Sequence, residues 1–217
     1  MNDEGSEMSA LARFDAVSSP PERLRAGQDG AARLTVYPPG SAGREQVEQF
    51  IHRVYKKSYG ASVQSYAPVL LSLSDESGQI AAAAGYRIAS TGPLFLESYL
   101  SQPIESLIHA HACVPRGRIA EVGHLSSEQS GAGRRLIKLI GLHLAGLGLQ
   151  WVSSTLTQEL QHVFVRLGIA PIALGAADPA RLGPEAQCWG TYYEHHPVVV
   201  AGRIDLALNR LARRQGA

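Results

Sequence analysis

Only two cysteines, Cys113 and Cys188, occur in 217 residues, far apart and without Cys-x-x-Cys spacing. That scarcity excludes a disulfide framework and a cysteine zinc site, and it fits a reducing compartment such as the cytoplasm. No apolar run approaches the roughly 18 residues that a helix needs to cross a bilayer. Met1 to Ala10 carry acidic side chains instead of the basic-then-apolar order of a secretory signal. The expectation is a cytoplasmic protein with no transmembrane segment. Charge of one sign is also lacking: 20 Lys+Arg stand against 19 Asp+Glu, for a formal net charge of +1. Such a balance leaves no electrostatic footprint for nucleic acid. With 45% hydrophobic and 18% charged residues, the composition is that of a folded chain long enough to bury a core.

Residues 1–33 are rich in Ser, Gly, Ala, Asp and Glu and lack periodicity, so they read as a mobile tail before a domain over 34–210. Leu34 to Tyr37 reads as a strand, and Glu45 to Tyr59 as a helix with Val47, Phe50, Ile51, Val54 and Tyr55 at helical spacing. Val69 to Leu73 and Ile80 to Ile88 flank a polar, glycine-bearing turn and form an expected hairpin. Two short helices should meet at Pro103. Ile119 to Ser126 is a strand, followed by a glycine loop and an apolar, largely buried helix over Arg134 to Leu147. Trp151 to Leu156, Ile169 to Leu174 and Val198 to Leu206 read as strands, and Gln158 to Leu167 as a helix closed by Gly168. The fold class is therefore α/β.

The chemistry-bearing segment is Glu128-Gln129-Ser130-Gly131-Ala132-Gly133-Arg134-Arg135. A strand that turns through glycine into a helix presents free N–H groups and the positive dipole end to an anion. Arg134, Arg135 and Lys138 lie at that same positive end, a conflict that a bound phosphate or pyrophosphate relieves. The alternative is a tight turn with solvated arginines. The spacing matches neither a dinucleotide fingerprint nor a P-loop.

This segment resembles the GNAT acyltransferase superfamily, whose fourth strand leads through an R/Q-x-x-G-x-G/A loop into a helix that binds the pyrophosphate of acyl-coenzyme A. Gly131 and Gly133 match, whereas Glu128 stands where Arg or Gln is usual, which leaves room for an acyl-carrier-protein donor. Phe164 to Gly168 is similar to that family's aromatic-x-x-x-Gly helix end. More closely, Ala84-Gly85-Tyr86-Arg87, Pro93-Leu94-Phe95-Leu96-Glu97, Glu121-Val122-Gly123-His124-Leu125 and Trp189-Gly190-Thr191-Tyr192-Tyr193 resemble the thermostable haemolysin family. The Glu-Val-Gly strand is also similar to the Glu-x-Ser-Arg strand of acyl-homoserine-lactone synthases. The resemblance implies a GNAT-like, mostly antiparallel central sheet flanked by helices. It also implies transfer of an acyl group from acyl-CoA or the phosphopantetheine of an acyl-carrier protein to a small-molecule amine or amino acid, with no metal. Alternatives are a membrane-acting haemolysin, for which no spanning segment speaks, and a GNAT fold retained as an inactive binding module.

Within that reading Leu125, Ser126, Gly131, Ala132, Gly133, Arg134 and Arg135 are the expected thioester-binding residues, and Arg87 and Trp189 the acceptor-binding ones. Glu121, a carboxylate in an apolar strand, is the expected base or the anchor of an acceptor ammonium, or else an ion-pair partner of Arg87. His124 is a second candidate for proton relay. Tyr192 and Tyr193 offer phenols to protonate the leaving sulfur, or pack against Trp189. His109, His111, Cys113 and the pair His195-His196 do not complete a recognised metal spacing. Ser126 and Ser127 lack the surroundings of a nucleophile elbow.

Overall fold

The computed structural model describes residues 22–25 and 33–214. Eight strands form one sheet in the order β1-β2-β3-β4-β5-β6-β8-β7: β1 (Glu22–Arg25), β2 (Arg33–Tyr37), β3 (Val69–Ser74), β4 (Ile80–Ile88), β5 (Ile119–Ser127), β6 (Trp151–Leu156), β7 (Ile172–Ala176) and β8 (Val198–Arg203). Every neighbouring pair is antiparallel except β5 and β6. The helices are α1 (Arg44–Tyr59), α2 (Ile104–His109), α3 (Ala132–Gly146), α4 (Gln158–Leu167) and α5 (Ile204–Arg213). This is the expected mixed, mostly antiparallel sheet flanked by helices.

Both faces of the central strands are covered, which is why β4 is an apolar run of small residues. Ala82, Ala84 and Tyr86 pack with Leu136, Ile140 and Leu144 of α3, whereas Ala83 packs with Phe50, Ile51 and Val54 of α1. The helix α1 buries the five residues that its spacing singles out and ends at Gly60, whose N–H bonds to the Lys56 carbonyl at 2.9 Å.

Several expectations need correction. Glu22–Arg25, inside the segment read as a tail, pairs with β2 from Glu22↔Val36 to Arg25↔Arg33, which satisfies main-chain groups of β2. Residues 1–21 and 26–32 lie outside the described residues. The segment 95–99 is a 3-10 turn, because the Glu97 carboxylate accepts the Leu94 N–H at 2.8 Å and ties the turn to its own start. The helix α3 is not largely buried: Leu136, Ile140 and Leu144 form a stripe against the sheet, while Leu142 is 48% exposed. The strand β7 starts at Ile172, since the Ile169 N–H still bonds to the Phe164 carbonyl in the close of α4. The last strand stops at Arg203 and the chain turns into α5, which buries Ile204 and Leu211 on one face, two turns apart.

Candidate active site

The strand β5 is irregular on both edges at the same place. Against β4, Gly85 pairs with Gly123 and Ala83 with Ser126, so two residues of β5, His124 and Leu125, oppose the single Ala84. This is a β-bulge, and His124 carries its left-handed backbone with φ 55°. Against β6 the parallel pairing ends at Glu121↔Ser153. The Ser153 hydroxyl donates to the Ala120 carbonyl at 3.2 Å and the Ser154 hydroxyl to the Val122 carbonyl at 2.7 Å. Beyond that point β5 and β6 part.

A cavity lies on each side of the parting. The one beneath α1 is about 90 Å³ and is walled by Glu121, Gly123, His124 and the aromatic side chains of Tyr55, Tyr66, Tyr99, Trp189 and Tyr192. The one between β6, β8, α3 and α5 is about 230 Å³ and mostly apolar, with Ile137, Ile140, Phe164 and Leu211 on its walls. Val122, Leu125 and Ser154 belong to both. A Cβ added at Gly123 meets nothing within 4 Å, so the residue leaves the first cavity open beside the strand.

At the head of the parting, Glu121 accepts the Phe95 N–H at 2.8 Å and the Leu96 N–H at 3.0 Å, one on each oxygen. The carboxylate thus fixes the 95–99 turn to β5. Burial pushes its pKa up, against the two N–H groups and the charge of Arg87, which pull it down. Arg87 stands opposite Glu121 in register and donates to the Pro93 carbonyl at 2.8 Å. The turn is held from its other side by Arg116, which reaches both oxygens of Glu97 at 2.6 and 2.7 Å.

The phenols divide. Tyr193 shares a 2.7 Å hydroxyl contact with Tyr99 and approaches the first cavity through it. Tyr99 is on the wall itself. Burial raises the pKa of both, so both stay protonated at neutral pH. Tyr192 is buried, donates to the Thr155 carbonyl at 3.4 Å and stacks beside Trp189 and Tyr55. Trp189 also meets Phe95, with ring centroids 5.6 Å apart. Tyr55 and Tyr66 approach His124 at 6.3 and 5.6 Å between ring centroids. No sequence signal singles out these last two, because the helical spacing of Tyr55 is that of any core residue.

Farther along, the strand delivers the glycine loop. Gly131 caps α3 with φ 80° and no side-chain hydrogen bond at the helix start. Arg134 and Arg135 are exposed, and Ala132 and Gly133 are partly buried. Glu128, the departure from the acyltransferase loop, is paired by Arg53 of α1 at 3.2 and 3.3 Å. The Ser126 hydroxyl donates to the His124 carbonyl at 3.0 Å across the bulge, and Gln129 donates to Asp75 in the β3–β4 turn at 2.8 Å. His195 pairs with Glu159 at 2.8 Å. Among the described residues no group of three or more His, Cys, Asp or Glu side chains is placed to hold a metal ion. No helix among them is long and apolar enough to cross a membrane.

The family described as thermostable hemolysin matches residues 37–208. The chain belongs to this family. No curated protein matches it. Among solved structures, this thermostable hemolysin family member is similar to the acyl-homoserine-lactone (AHL) synthase LasI, with a TM-score of 0.57 and 12% identity over 83% of this chain and 95% of that one. It is also similar to FeeM, an N-acyl amino acid synthase from uncultured soil microbes, with a TM-score of 0.54 and 13% identity over 82% of this chain and 98% of that one. A third is the CoA-dependent acyl-homoserine lactone synthase BjaI with SAM and isopentyl-CoA, with a TM-score of 0.55 and 16% identity over 83% of this chain and 88% of that one. The fold is thus GNAT-like and shared with acyltransferases.

Proposed function

We propose that the protein is an N-acyltransferase that moves an acyl group from a phosphopantetheine thioester, acyl-CoA or acyl-carrier protein, to the amine of a small molecule or amino acid. The observation that carries this reading is the parting of β5 from β6 after Glu121, with a cavity on each side and shared walls at Val122, Leu125 and Ser154. An extended pantetheine arm fits beside unpaired strand backbone, and the uncapped start of α3 suits its phosphates. The apolar cavity suits the hydrocarbon of the acyl group, and the aromatic cavity beneath α1 suits the acceptor. Fold neighbours named as acyl-homoserine-lactone and N-acyl amino acid synthases support the same assignment.

In this reading the amine nitrogen attacks the thioester carbonyl, the C–N bond forms and the C–S bond breaks. The Tyr99–Tyr193 pair, held protonated by burial, supplies a proton to the leaving sulfur. Glu121 holds the 95–99 turn in place, Arg87 supports that turn through Pro93, and Trp189 and Tyr192 wall the acceptor.

The test supplies octanoyl-CoA or octanoyl-acyl-carrier protein with a pool of amino acids, and reads free thiol together with amide product by mass spectrometry. Amine-dependent thiol release is expected. Gly133→Glu separates the site from the scaffold. Gly133 lies in helical backbone with only Ser127 nearby, at 3.5 Å from the added Cβ, and a carboxylate in the first turn favours a helix by about 0.3–1 kcal/mol. The fold is therefore retained or stabilised while phosphate is repelled. Unchanged CoA binding in this folded variant rules out the loop as the phosphate site.

A further inference from the structure

The reaction needs a group that takes the proton of the attacking amine, and the carboxylate expected in that role is already engaged. Glu121 spends an oxygen on each of two main-chain N–H groups and thereby fastens the turn that bears Phe95 and Tyr99. The neighbouring His124 differs. The Ser65 main-chain carbonyl lies beside its ring, whereas its Nδ1 is buried and has no hydrogen-bond partner among the described residues. In the neutral tautomer that keeps its hydrogen on Nε2, Nδ1 carries the lone pair. A buried acceptor without a partner costs roughly 1–3 kcal/mol, which a bound N–H donor recovers. The ring lines the aromatic cavity together with Glu121, Tyr99 and Trp189, and the β-bulge puts it there through a left-handed backbone that costs energy to hold.

We infer that His124 Nδ1 is the proton acceptor for the nucleophilic amine, and that Glu121 is a positioning residue that acts through the 95–99 turn. This rests on the acyl-transfer reading. As the amine nitrogen bonds to the acyl carbon, one of its protons passes to Nδ1, and the thiolate takes its proton from the Tyr99–Tyr193 pair. Tyr55, Tyr66 and Arg87 surround the ring, and the one carboxylate on the same wall, Glu121, is engaged by the Phe95 and Leu96 N–H groups. The protonated ring is thus short-lived and returns its proton through solvent.

The test uses the full chain with octanoyl-CoA as donor and hydroxylamine as a small amine, and reads octanoyl hydroxamate. His124→Asn suits the left-handed backbone and keeps an acceptor oxygen near the place of Nδ1, without basicity. It is expected to lower kcat about 10²-fold or more while KM for octanoyl-CoA stays within about twofold. In ¹⁵N-histidine NMR, the His124 signals, identified by their loss in that variant, are expected to show the hydrogen on Nε2 and a shift of Nδ1 when octanoyl-CoA and the amine are both present. Hydroxamate formed by His124→Asn at the wild-type rate overturns the assignment of the base alone. Binding of octanoyl-CoA without hydroxamate in the wild type overturns it too, since a base beside the bound carbonyl serves so small an amine whatever the natural acceptor. Failure of octanoyl-CoA and octanoyl-acyl-carrier protein to bind at all removes the acyl-transfer reading, and the base assignment with it.

Discussion

His124 is costly twice over, in its backbone and in its desolvated ring. Burial, aided by the charge of Arg87 and opposed by the Ser65 carbonyl, holds its pKa down at about 4, against roughly 6.5 in an unfolded chain. The unfolded chain therefore takes up a proton that the folded one refuses. Stability from this group is complete above about pH 6.5 and is lost as pH falls toward 4, by roughly 3 kcal/mol at most. Tyr55 and Tyr66, which face it, stay neutral across this window. Glu97, which burial pushes up but Arg116 and two main-chain N–H groups hold near 2, loses its contribution from about pH 4.5 down to 2. Urea unfolding at pH 7, 5.5 and 4.5 is expected to show a steeper loss in the wild type than in His124→Asn; parallel curves contradict a buried neutral ring. Glu121 and His124 are legible in the sequence because ionisable residues interrupt an apolar strand. Tyr55, Tyr66 and Tyr99 are not, since the path of a phenol's oxygen is set by packing between distant segments.

At the scale of elements, the aromatic wall depends on one close approach of two backbones. Gly190 has φ 54°, and a Cβ there would collide with the Tyr59 carbonyl at the end of α1. That same carbonyl accepts the Thr191 N–H at 2.8 Å, which docks the segment bearing Trp189, Tyr192 and Tyr193. Gly190→Ala combines a left-handed backbone with a backbone clash, and a loss of about 2–4 kcal/mol is expected. Thermal unfolding measures it, and the Trp189 environment, read by fluorescence, should change with it; an unaltered midpoint contradicts the docking. The Trp-Gly-Thr-Tyr-Tyr motif is visible in sequence as a glycine among aromatics, but its partner at Tyr59 is not. The same limit applies to Glu128, which looks like a missing cation in the loop. Its counter-charge comes from Arg53, 75 residues earlier. Strand and helix order is largely legible from periodicity. The boundary between β8 and α5 is not, because apolar residues run on either side of Arg203 and only the burial of Ile204 with Leu211 reveals the change of period.

For the whole molecule, the sheet is continuous except where β5 and β6 part. The antiparallel strands β2 to β5 carry α1 on one face and α3 on the other, and the two cavities flank the one parallel junction. Composition fixes none of this; the order of strands and the glycine loop after β5 do, because they place an uncapped helix start at the end of the strand that bears Glu121 and His124. Leakage from liposomes, which the family's description suggests, finds no spanning helix among the described residues. The central claim is that the parted strands hold an acyl thioester. It is tested most directly by the thermal midpoint of the purified chain with and without octanoyl-CoA or octanoyl-acyl-carrier protein. A ligand at 100 times its Kd adds about 2.7 kcal/mol to the folded state, which for a chain of this size raises the midpoint by roughly 5–10 °C. The account expects such a shift with at least one of the two donors and its loss for octanoyl-CoA in Gly133→Glu; an unmoved midpoint at saturating concentrations of both contradicts it.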